Sequence, residues 1–329
     1  MQQATTVLVN LGSTAELSVS GIQAFLREFL SDKYVVDLPR FFWLPILHGF
    51  VLKKRPEALL AQYQAIWGKH DSPLIEITRA LAAKMPHTEM AMRYGEPSLQ
   101  SVLSRFNSSE KNITLLPLYP QYNRSTTESV FAEIARIVKP WSFTPNIRLI
   151  RHYAVHPAYI EALALHIERY WERQGKSKML VFSFHGVPIK MIQAGDPYLS
   201  QCEQTVALLI KRLKLDSDKC CMVFQSRFGG SKWLEPACTE TLGKLAKKGI
   251  KEVDIVCPGF ATDCLETLYE INIENREYFL KHGGKRFNYI PALNDSDEHV
   301  RAIQEILQDA STSITLESWM NHRDTKTFV

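Results

Sequence analysis

Residues 113–134 read ITLLPLYPQYNRSTTESVFAEI: an apolar run, a proline turn, a polar loop and then a helical pattern. Residues 253–271, VDIVCPGFATDCLETLYEI, repeat that order. Residues 7–13 (VLVNLGS) and 180–186 (LVFSFHG) form a second similar pair. In each, a mostly apolar run leads to a glycine near the end of the segment. This internal repeat predicts two similar halves that meet near residue 155, with a cleft between them.

The rest of the chain follows the same alternation. Apolar runs that alternate with amphipathic stretches predict parallel sheets covered by helices, which is an α/β fold. In such sheets ligands bind beyond the carboxyl ends of the strands, so the chemically active residues should follow the strands directly. The predicted strands are 6–10, 113–118, 147–150, 179–184, 222–225 and 253–257, and the predicted helices are 19–30, 127–138, 157–173 and 202–213.

Composition and short motifs exclude several classes of protein. The 39 basic and 35 acidic residues leave a net charge of +4, which does not suggest a nucleic-acid-binding domain. No GxGxxG or GxxxxGK[ST] motif indicates a nucleotide site. The apolar run 41–52 is interrupted and too short to span a membrane, and residues 1–10 do not resemble a secretory signal. We therefore expect a cytoplasmic protein, with at most a peripheral contact at the inner face of a membrane.

The six cysteines form no CxxC pair. A chain of 329 residues can bury a core without disulfides, so free thiols in a reducing compartment are expected. The lack of a cysteine cluster after Cys264 argues against an iron–sulfur centre. No permanently bound cofactor is expected.

His185 is the first candidate for chemistry, because it directly follows a predicted strand in SFHGVP (183–188). Imidazole titrates near neutral pH, and it can accept a proton or bind a metal ion of intermediate softness. The alternative is a histidine that is merely hydrogen-bonded in the turn after the strand. The sequence alone leaves both interpretations open.

An acidic stripe is the second candidate. At about 100° per residue in an α-helix, its members project within roughly an 80° arc, and their flanking residues are apolar. Buried carboxylates without basic partners suit cation binding or proton relay. Two alternatives stay open: Glu266 has the spacing to close a capping box with Asp263, and the outer acids could form a solvated face. The members are Asp263, Glu266, Glu270, Glu274 and Glu277.

Two weaker signals lie in the first half. The aromatic segment FFWLPIL (41–47) precedes Lys53, Lys54 and Arg55, a combination that suits a membrane interface or a flat apolar ligand with acidic groups. Ordinary core followed by a helix that starts at Pro56 explains the segment equally well. Arg93 could bind a carboxylate through its planar fork, or it could form a surface ion pair.

Taken in order, these features resemble the ferrochelatase family, and the resemblance covers nearly the whole chain. Several ordered motifs at the family's spacing are far more specific than any one of them alone. They are VNLG (9–12), FLSD (29–32), VVD (35–37), LYPQY (118–122), STT (125–127), SFHG (183–186), GDPY (195–198), FQSRFG (224–229), KWL (232–234), PGF (258–260) and DCLETL (263–268).

The resemblance implies a chelatase class II fold. Two Rossmann-like, doubly wound parallel-sheet domains, residues 1–155 and 156–329, would face a porphyrin cleft, and the last helix would pack back on the first domain. The implied activity is that of a lyase, which inserts Fe²⁺ into protoporphyrin IX with release of two protons, in the last step of haem synthesis. Iron is then a substrate rather than a bound cofactor.

The resemblance also implies roles for individual residues. His185 and Glu266 would be catalytic and would contact the metal, while Asp263, Glu270 and Glu274 would carry protons or metal. The implied contacts to the macrocycle are Leu11, Phe29, Val35, Trp233 and Phe260, and the implied contacts to its propionates are Arg55, Tyr63, Ser72 and Arg93.

The chain departs from the family pattern at two places. Ser13-Thr14-Ala15 stands where the family has Thr-Pro after the glycine, and Gly230-Ser231-Lys232 replaces its Arg-Glu-Pro. Both changes affect the expected fit of the substrate more than the chemistry. The alternatives are a chelatase for coproporphyrin or for cobalt, which needs more basic groups at the ring's edge, and a non-catalytic porphyrin or haem carrier, which would leave the acidic stripe unexplained.

Overall fold

A computed structural model describes residues 4–106, 112–142, 145–227 and 230–323. Phe228 and Gly229, from the motif FQSRFG, lie outside these residues. The chain forms two compact units: unit 1 runs to His152 and resumes at Leu307, and unit 2 is Tyr153–Ile306. The sequence-based division at residue 155 differs from this boundary by three residues, and it assigned the C-terminal segment to the second half.

The secondary structure alternates between strands and helices in both units. The strands are β1 (Thr5–Asn10), β2 (Thr88–Met92), β3 (Asn112–Pro117), β4 (Asn146–Ile150), β5 (Met179–His185), β6 (Cys220–Gln225), β7 (Glu252–Val256), β8 (Arg286–Ile290) and β9 (Ser313–Thr315). The α-helices are α1 (Val19–Leu30), α2 (Arg40–Ile46), α3 (Leu52–Ile66), α4 (Pro73–Ala83), α5 (Leu99–Leu103), α6 (Ser129–Val138), α7 (Pro157–Gln174), α8 (Ile189–Gln193), α9 (Tyr198–Arg212), α10 (Cys238–Lys247), α11 (Arg276–Lys281), α12 (Asp297–Gln308) and α13 (Leu316–Arg323). The segments Leu47–Val51, Arg124–Glu128 and Glu266–Asn275 have π-helical hydrogen bonding.

The two sheets share one strand order. Unit 1 has the order β2-β1-β3-β4-β9, and all of its pairs are parallel except the antiparallel pair of β4 and β9. Unit 2 has the order β6-β5-β7-β8, and all of its pairs are parallel. In each unit the first strand therefore lies between the second and the third. The prediction of two similar α/β halves is confirmed.

The central strands are buried on both faces, as strands covered by helices must be. In β1, Val7, Leu8 and Val9 are fully buried, and in β5 the same is true of Val181 and Phe182. Continuous apolar runs rather than alternating patterns therefore mark these strands in the sequence. Each of these strands ends where its apolar run ends, which places the next residues at the carboxyl edge of the sheet.

The elements differ from the predicted ones in two instructive places. Strand β8 carries Arg286 and Asn288 among its apolar residues, so its pattern was too polar to be recognised. The acidic stripe was predicted on an α-helix, but Glu266–Asn275 is a π-helix. A π-helix is defined by i→i+5 contacts, which no periodicity of this short segment reveals.

The C-terminal segment completes unit 1. Strand β9 pairs with β4, and the Arg148 guanidinium donates to the carbonyl oxygen of Leu307 at 2.5 Å. From α13, the Trp319 indole N–H donates to the buried carboxylate of Glu128 at 3.0 Å. The segment is therefore part of the core of unit 1. Among the described residues, no helix has the length and apolarity that crossing a bilayer requires.

Candidate active site

His185 is the last residue of β5, an interior strand of the unit 2 sheet. Its register partner on β6 is Gln225, and its carbonyl oxygen accepts a hydrogen bond from the Tyr198 hydroxyl at 3.0 Å. The backbone of His185 is thus fixed on both sides. The next residue, Gly186, cannot be larger, because a Cβ there would lie 2.7 Å from the carbonyl oxygen of Gln225.

The imidazole of His185 is held as a neutral base. Burial lowers its pKa below the ordinary value, and the negative charge of Glu266 opposes this effect without cancelling it. A neutral imidazole has a free lone pair at physiological pH, so it can accept a proton or bind a metal ion. The ring of Phe260 meets it edge to face, with 6.4 Å between the ring centroids.

The π-helix changes the geometry of the acidic stripe. Its i→i+5 hydrogen bonding gives between four and five residues per turn, so residues four apart still project from the same side of the helix. Glu266, Glu270 and Glu274 have this spacing and form a single row. The row runs from partly buried Glu266 to exposed Glu274. Glu277 lies beyond the π-helix, in α11, and is exposed.

Glu270 occupies the middle of the row. Burial raises its pKa to about 7, and the charges of Glu266 and Glu274 act in the same direction. Hydrogen bonds from Ser226 oppose the rise: the Ser226 backbone N–H donates to Oε1 at 2.7 Å, and its hydroxyl donates to Oε2. A carboxyl group with this pKa exchanges protons readily at neutral pH.

Asp263 is committed to the local fold. One carboxylate oxygen accepts hydrogen bonds from the Thr267 hydroxyl at 2.9 Å and from the Tyr289 hydroxyl, and the other accepts from the Asn294 amide at 2.7 Å. The backbone N–H of Asp263 donates to the Asn294 side chain at 2.8 Å, so Glu266 does not close a capping box there. The capping-box alternative is therefore wrong, and the carboxylate of Glu266 is left for another role.

Gln225 and Ser226 organise this site, although sequence reasoning gave them no role. The Gln225 amide donates to the carbonyl oxygen of Glu266 at 3.2 Å, and its side-chain oxygen accepts from the Ser183 hydroxyl at 2.8 Å. Ser226 binds Glu270, as described above. The two residues link the end of β5 to the π-helix. Their position was the available signal, because Gln225 is the last residue of β6 and Ser226 directly follows it, at the carboxyl end of a strand.

Two predicted ring contacts lie in the same unit. Phe260 packs on His185, and a Cβ placed on Gly186 would lie 3.4 Å from the indole of Trp233. The indole N–H of Trp233 is buried and has no hydrogen-bond partner among the described residues. Unit 2 therefore brings together His185, Glu266, Glu270, Trp233 and Phe260, and it builds an apolar wall beside the titratable groups.

The predicted ring contacts of unit 1 form a separate group. Leu11, Phe29 and Val35 are all partly buried. The carbonyl oxygen of Leu11 accepts from the Tyr94 N–H at 2.9 Å, and the Phe29 ring meets the Tyr94 ring edge to face at 5.2 Å between centroids. Tyr94 thus contacts both Leu11 and Phe29 and supports their positions.

Arg93 was expected to meet a propionate, but the structure gives it an internal partner. Its guanidinium lies 2.6 Å from the Asp32 carboxylate and also donates to the Ser129 hydroxyl at 2.8 Å. The Tyr94 hydroxyl donates to the same oxygen of Asp32 at 2.7 Å. This is a buried network rather than the surface ion pair that was the alternative. The charge of Arg93 is compensated within unit 1.

The remaining predicted propionate contacts are Arg55, Tyr63 and Ser72. Arg55 is partly buried in α3, and the buried Tyr63 hydroxyl accepts from Ser13 at 3.3 Å. Ser72 precedes the first turn of α4, is 1% exposed, and has no partner for its hydroxyl among the described residues. The positive end of the α4 dipole and this free donor both favour an anion.

The chain is similar to a known protein family over almost its whole length. The family model described as Ferrochelatase matches residues 3–311. A ferrochelatase of Aeromonas hydrophila is 43% identical over 312 residues, covering 92% of this chain and 96% of that one. A ferrochelatase of Methylococcus capsulatus is 42% identical over 308 residues, covering 92% and 95%.

Solved structures show the fold alone. SirB from Bacillus subtilis with Fe³⁺ matches with a TM-score of 0.55 at 12% identity, covering 93% of this chain and 95% of that one. CbiX, described as the terminal enzyme for siroheme biosynthesis in denitrifying bacteria, matches with a TM-score of 0.50 at 12% identity, covering 93% and 99%. From the family match and the close relatives together, the chain belongs to the ferrochelatase family.

Proposed function

We propose that this protein inserts Fe²⁺ into protoporphyrin IX, with release of two protons, as the final lyase step of haem synthesis. The observation that carries the proposal is the pair of His185 and Glu266, continued by a row of carboxylates that ends in solvent. Metal insertion needs a base for the two pyrrole protons and a route by which they leave. A neutral imidazole followed by Glu270, with a pKa of about 7, supplies both.

In this mechanism His185 and Glu266 act at the ring's centre. The imidazole accepts a pyrrole proton or presents the metal, and the Glu266 carboxylate balances the positive charge beside it. Glu270 then takes the proton, and exposed Glu274 passes it to water. Asp263 is left out of the path, because its oxygens are occupied by the hydrogen bonds of the local fold.

The proposed substrate contacts come from both units. In unit 2, Phe260 and Trp233 would meet the macrocycle with apolar surface. In unit 1, Leu11, Phe29 and Val35 would do the same, while Ser72, Tyr63 and Arg55 would bind carboxylates. We omit Arg93 because Asp32 already pairs with it. Arg55 is the one basic residue among these proposed contacts, which favours a ring with two propionates over a ring with four.

A peripheral membrane contact is part of the same proposal. The aromatic lip, which we define as Phe41, Phe42, Ile46 and Phe50, exposes 71%, 62%, 50% and 57% of these residues in turn. Between them, Trp43 is buried and its indole N–H donates to the carbonyl oxygen of Leu30 at 2.7 Å. Exposed apolar side chains on a segment that the buried Trp43 anchors suit a lipid interface. Such a contact would place the protein at the cytoplasmic face of a membrane.

The test is anaerobic metal insertion, followed by porphyrin absorbance with Fe²⁺ and either protoporphyrin or coproporphyrin. Rapid turnover of protoporphyrin, lost in His185→Ala while porphyrin still binds, is the expected result. Turnover of coproporphyrin alone would move the activity to a sister chelatase. Tight binding of either ring without insertion would contradict the catalytic proposal and leave a carrier.

A further inference from the structure

A cavity of about 620 Å³ lies in unit 1, and none of its lining residues is among those assigned above to the reaction. Helix α1 forms one wall with Ala24, Arg27 and Glu28. The loop that follows α1, the first residue of α2, and the pair Arg93–Tyr94 complete it. These elements all belong to unit 1, so the cavity is a feature of that unit alone.

Three basic side chains of this cavity are uncompensated. Arg27, Lys33 and Arg40 are exposed at its edge, and within the part of the chain that the structure describes none of them forms an ion pair. Arg93, in the same wall, is by contrast fully paired with Asp32 at 2.6 Å. The cavity therefore has guanidinium and ammonium groups that are free to bind an anion.

The acidic residues of the wall do not cancel this charge. Burial acts to raise the pKa of Asp32, but the hydrogen bonds to its carboxylate and the charge of Arg93 outweigh burial, and the pKa is lowered. The Asp32 carboxylate is therefore charged, and Arg93 balances that charge. Burial raises the pKa of Glu28, which accepts the Gly95 N–H at 2.9 Å. Against these three basic side chains stands the one exposed carboxyl group of Glu28.

The cavity is continuous with the aromatic lip. Arg40, which lines the cavity, is followed directly by Phe41 and Phe42, the most exposed residues of the lip. When these rings enter the acyl boundary of a bilayer, the basic groups one residue away lie at the depth of the headgroups. Anionic headgroups concentrate at such a surface, and guanidinium forks bind phosphate oxygens bidentately.

We propose that this cavity, through Arg27, Lys33 and Arg40, binds the phosphate headgroup of an anionic phospholipid. The proposal rests on the lip contact proposed above. The lip supplies the apolar attachment, and the cavity supplies the preference for anionic lipid. A soluble phosphate ester has the same recognition chemistry and is therefore an outcome that the test must separate.

The discriminating variant conserves charge. Arg27→Lys/Arg40→Lys keeps every positive charge but removes both planar forks, so diffuse attraction to an anionic surface would be unaffected. For a headgroup site we expect co-sedimentation with phosphatidylcholine–phosphatidylglycerol vesicles to weaken by about fivefold or more. Binding to vesicles of phosphatidylcholine alone, and metal insertion in detergent, should stay at the wild-type level.

Two controls separate the failure of this proposal from that of the lip. Lys53→Arg/Lys54→Arg conserves the charge of basic residues that do not line the cavity, and it should leave binding to the mixed vesicles unchanged. Unaltered binding of Arg27→Lys/Arg40→Lys to mixed vesicles would overturn the headgroup site and leave the lip intact. If the wild-type protein bound no vesicles at all, the proposed lip contact and the proposed headgroup site would both be wrong. The proposal of insertion activity would not be affected by that result.

The soluble alternative is tested with glycerol 1-phosphate. Calorimetric titration of the wild type should detect no binding at concentrations where the mixed vesicles saturate. Binding of glycerol 1-phosphate that matches the affinity for vesicles, and that Arg27→Lys/Arg40→Lys abolishes, would make the cavity a site for a soluble phosphate. That result would overturn the lipid assignment.

Discussion

Ser226 holds the carboxylate of Glu270 with two donors, its backbone N–H at 2.7 Å and its hydroxyl group. Ser226 adopts a φ of 62°, a left-handed conformation that side chains other than those of glycine, asparagine and aspartate seldom adopt. This conformation turns both donors toward the π-helix. The pKa of Glu270 therefore depends on a residue 44 positions away in the sequence.

Removing the hydroxyl should move the pH profile. Hydrogen bonds to a carboxylate favour the ionised form, so Ser226→Ala should raise the pKa of Glu270 above 7. If Glu270 must be ionised to accept protons, the acidic limb of kcat should shift to higher pH by about one unit. Ser200→Ala, an exposed serine of α9, is the matched control. An unmoved limb in Ser226→Ala would contradict the relay.

Glu270→Gln should slow turnover without weakening substrate binding. The amide keeps the size of the side chain but cannot carry a proton, and we expect kcat to fall by about tenfold or more. The KM for porphyrin should stay within about twofold, because Glu270 is not among the proposed ring contacts. Steady-state insertion kinetics provide both numbers. A rise in KM at constant kcat would place Glu270 in the porphyrin site instead.

His185→Ala should abolish insertion by removing the base at the end of β5. General-base catalysis contributes about 10² to 10⁴ in rate, so activity should fall by at least about a hundredfold. Fluorescence quenching of bound porphyrin should still give nearly the wild-type Kd. The control is His70→Ala, because His70 is an exposed histidine of unit 1. Near-normal turnover in the His185 variant would refute the mechanism.

His299 should make the protein sensitive to acid. It is fully buried, and burial lowers its pKa to about 4. Because the folded pKa lies below the unfolded value of 6.5, stability is complete above pH 6.5 and declines as pH falls toward 4. The loss amounts to about 3 kcal/mol. His299→Gln should remove much of this dependence of stability on pH. Thermal melting of both proteins at pH 7 and pH 4.5 would reveal the difference. An equal fall in melting temperature in the wild type and the variant would contradict the prediction.

Trp43 and the neighbouring residues of the aromatic lip should have different roles, the first in stability and the second in surface binding. Trp43 is 6% exposed, and Trp43→Ala should destabilise unit 1 by about 3–5 kcal/mol through the cavity and the lost indole hydrogen bond. Phe41→Ser/Phe42→Ser should leave the melting temperature within a few degrees and weaken binding to all vesicles. Unimpaired vesicle binding in the latter variant would remove the lip from the interface.

Local sequence patterns were enough to select the candidate residues. His185 directly follows a run that is apolar except for Ser183, and the carboxyl end of such a strand is where ligands bind in α/β folds. The acidic residues were recognisable because carboxylates at a spacing of four lacked basic partners. Strand burial and charge pairing are properties of short segments, so one sequence reveals them.

Long-range contacts decided what the sequence could not predict. The ion pair of Arg93 with Asp32 joins residues 61 positions apart, and the local sequence around neither residue predicts it. The Glu266–Asn275 segment has the composition of an α-helix, and its π geometry accompanies contacts to Gln225 and Ser226. Strand β8 is recognised only through its pairing with β7.

The return of the chain to unit 1 has a consequence for synthesis. Residues 153–306 leave the ribosome with every strand of their own sheet, whereas unit 1 lacks β9 and Trp319 until residues 313–319 follow. Until then β4 is an open sheet edge, and the buried carboxylate of Glu128 lacks its indole partner. Although domains generally fold from the N-terminus first, here the second unit translated is the first that can close.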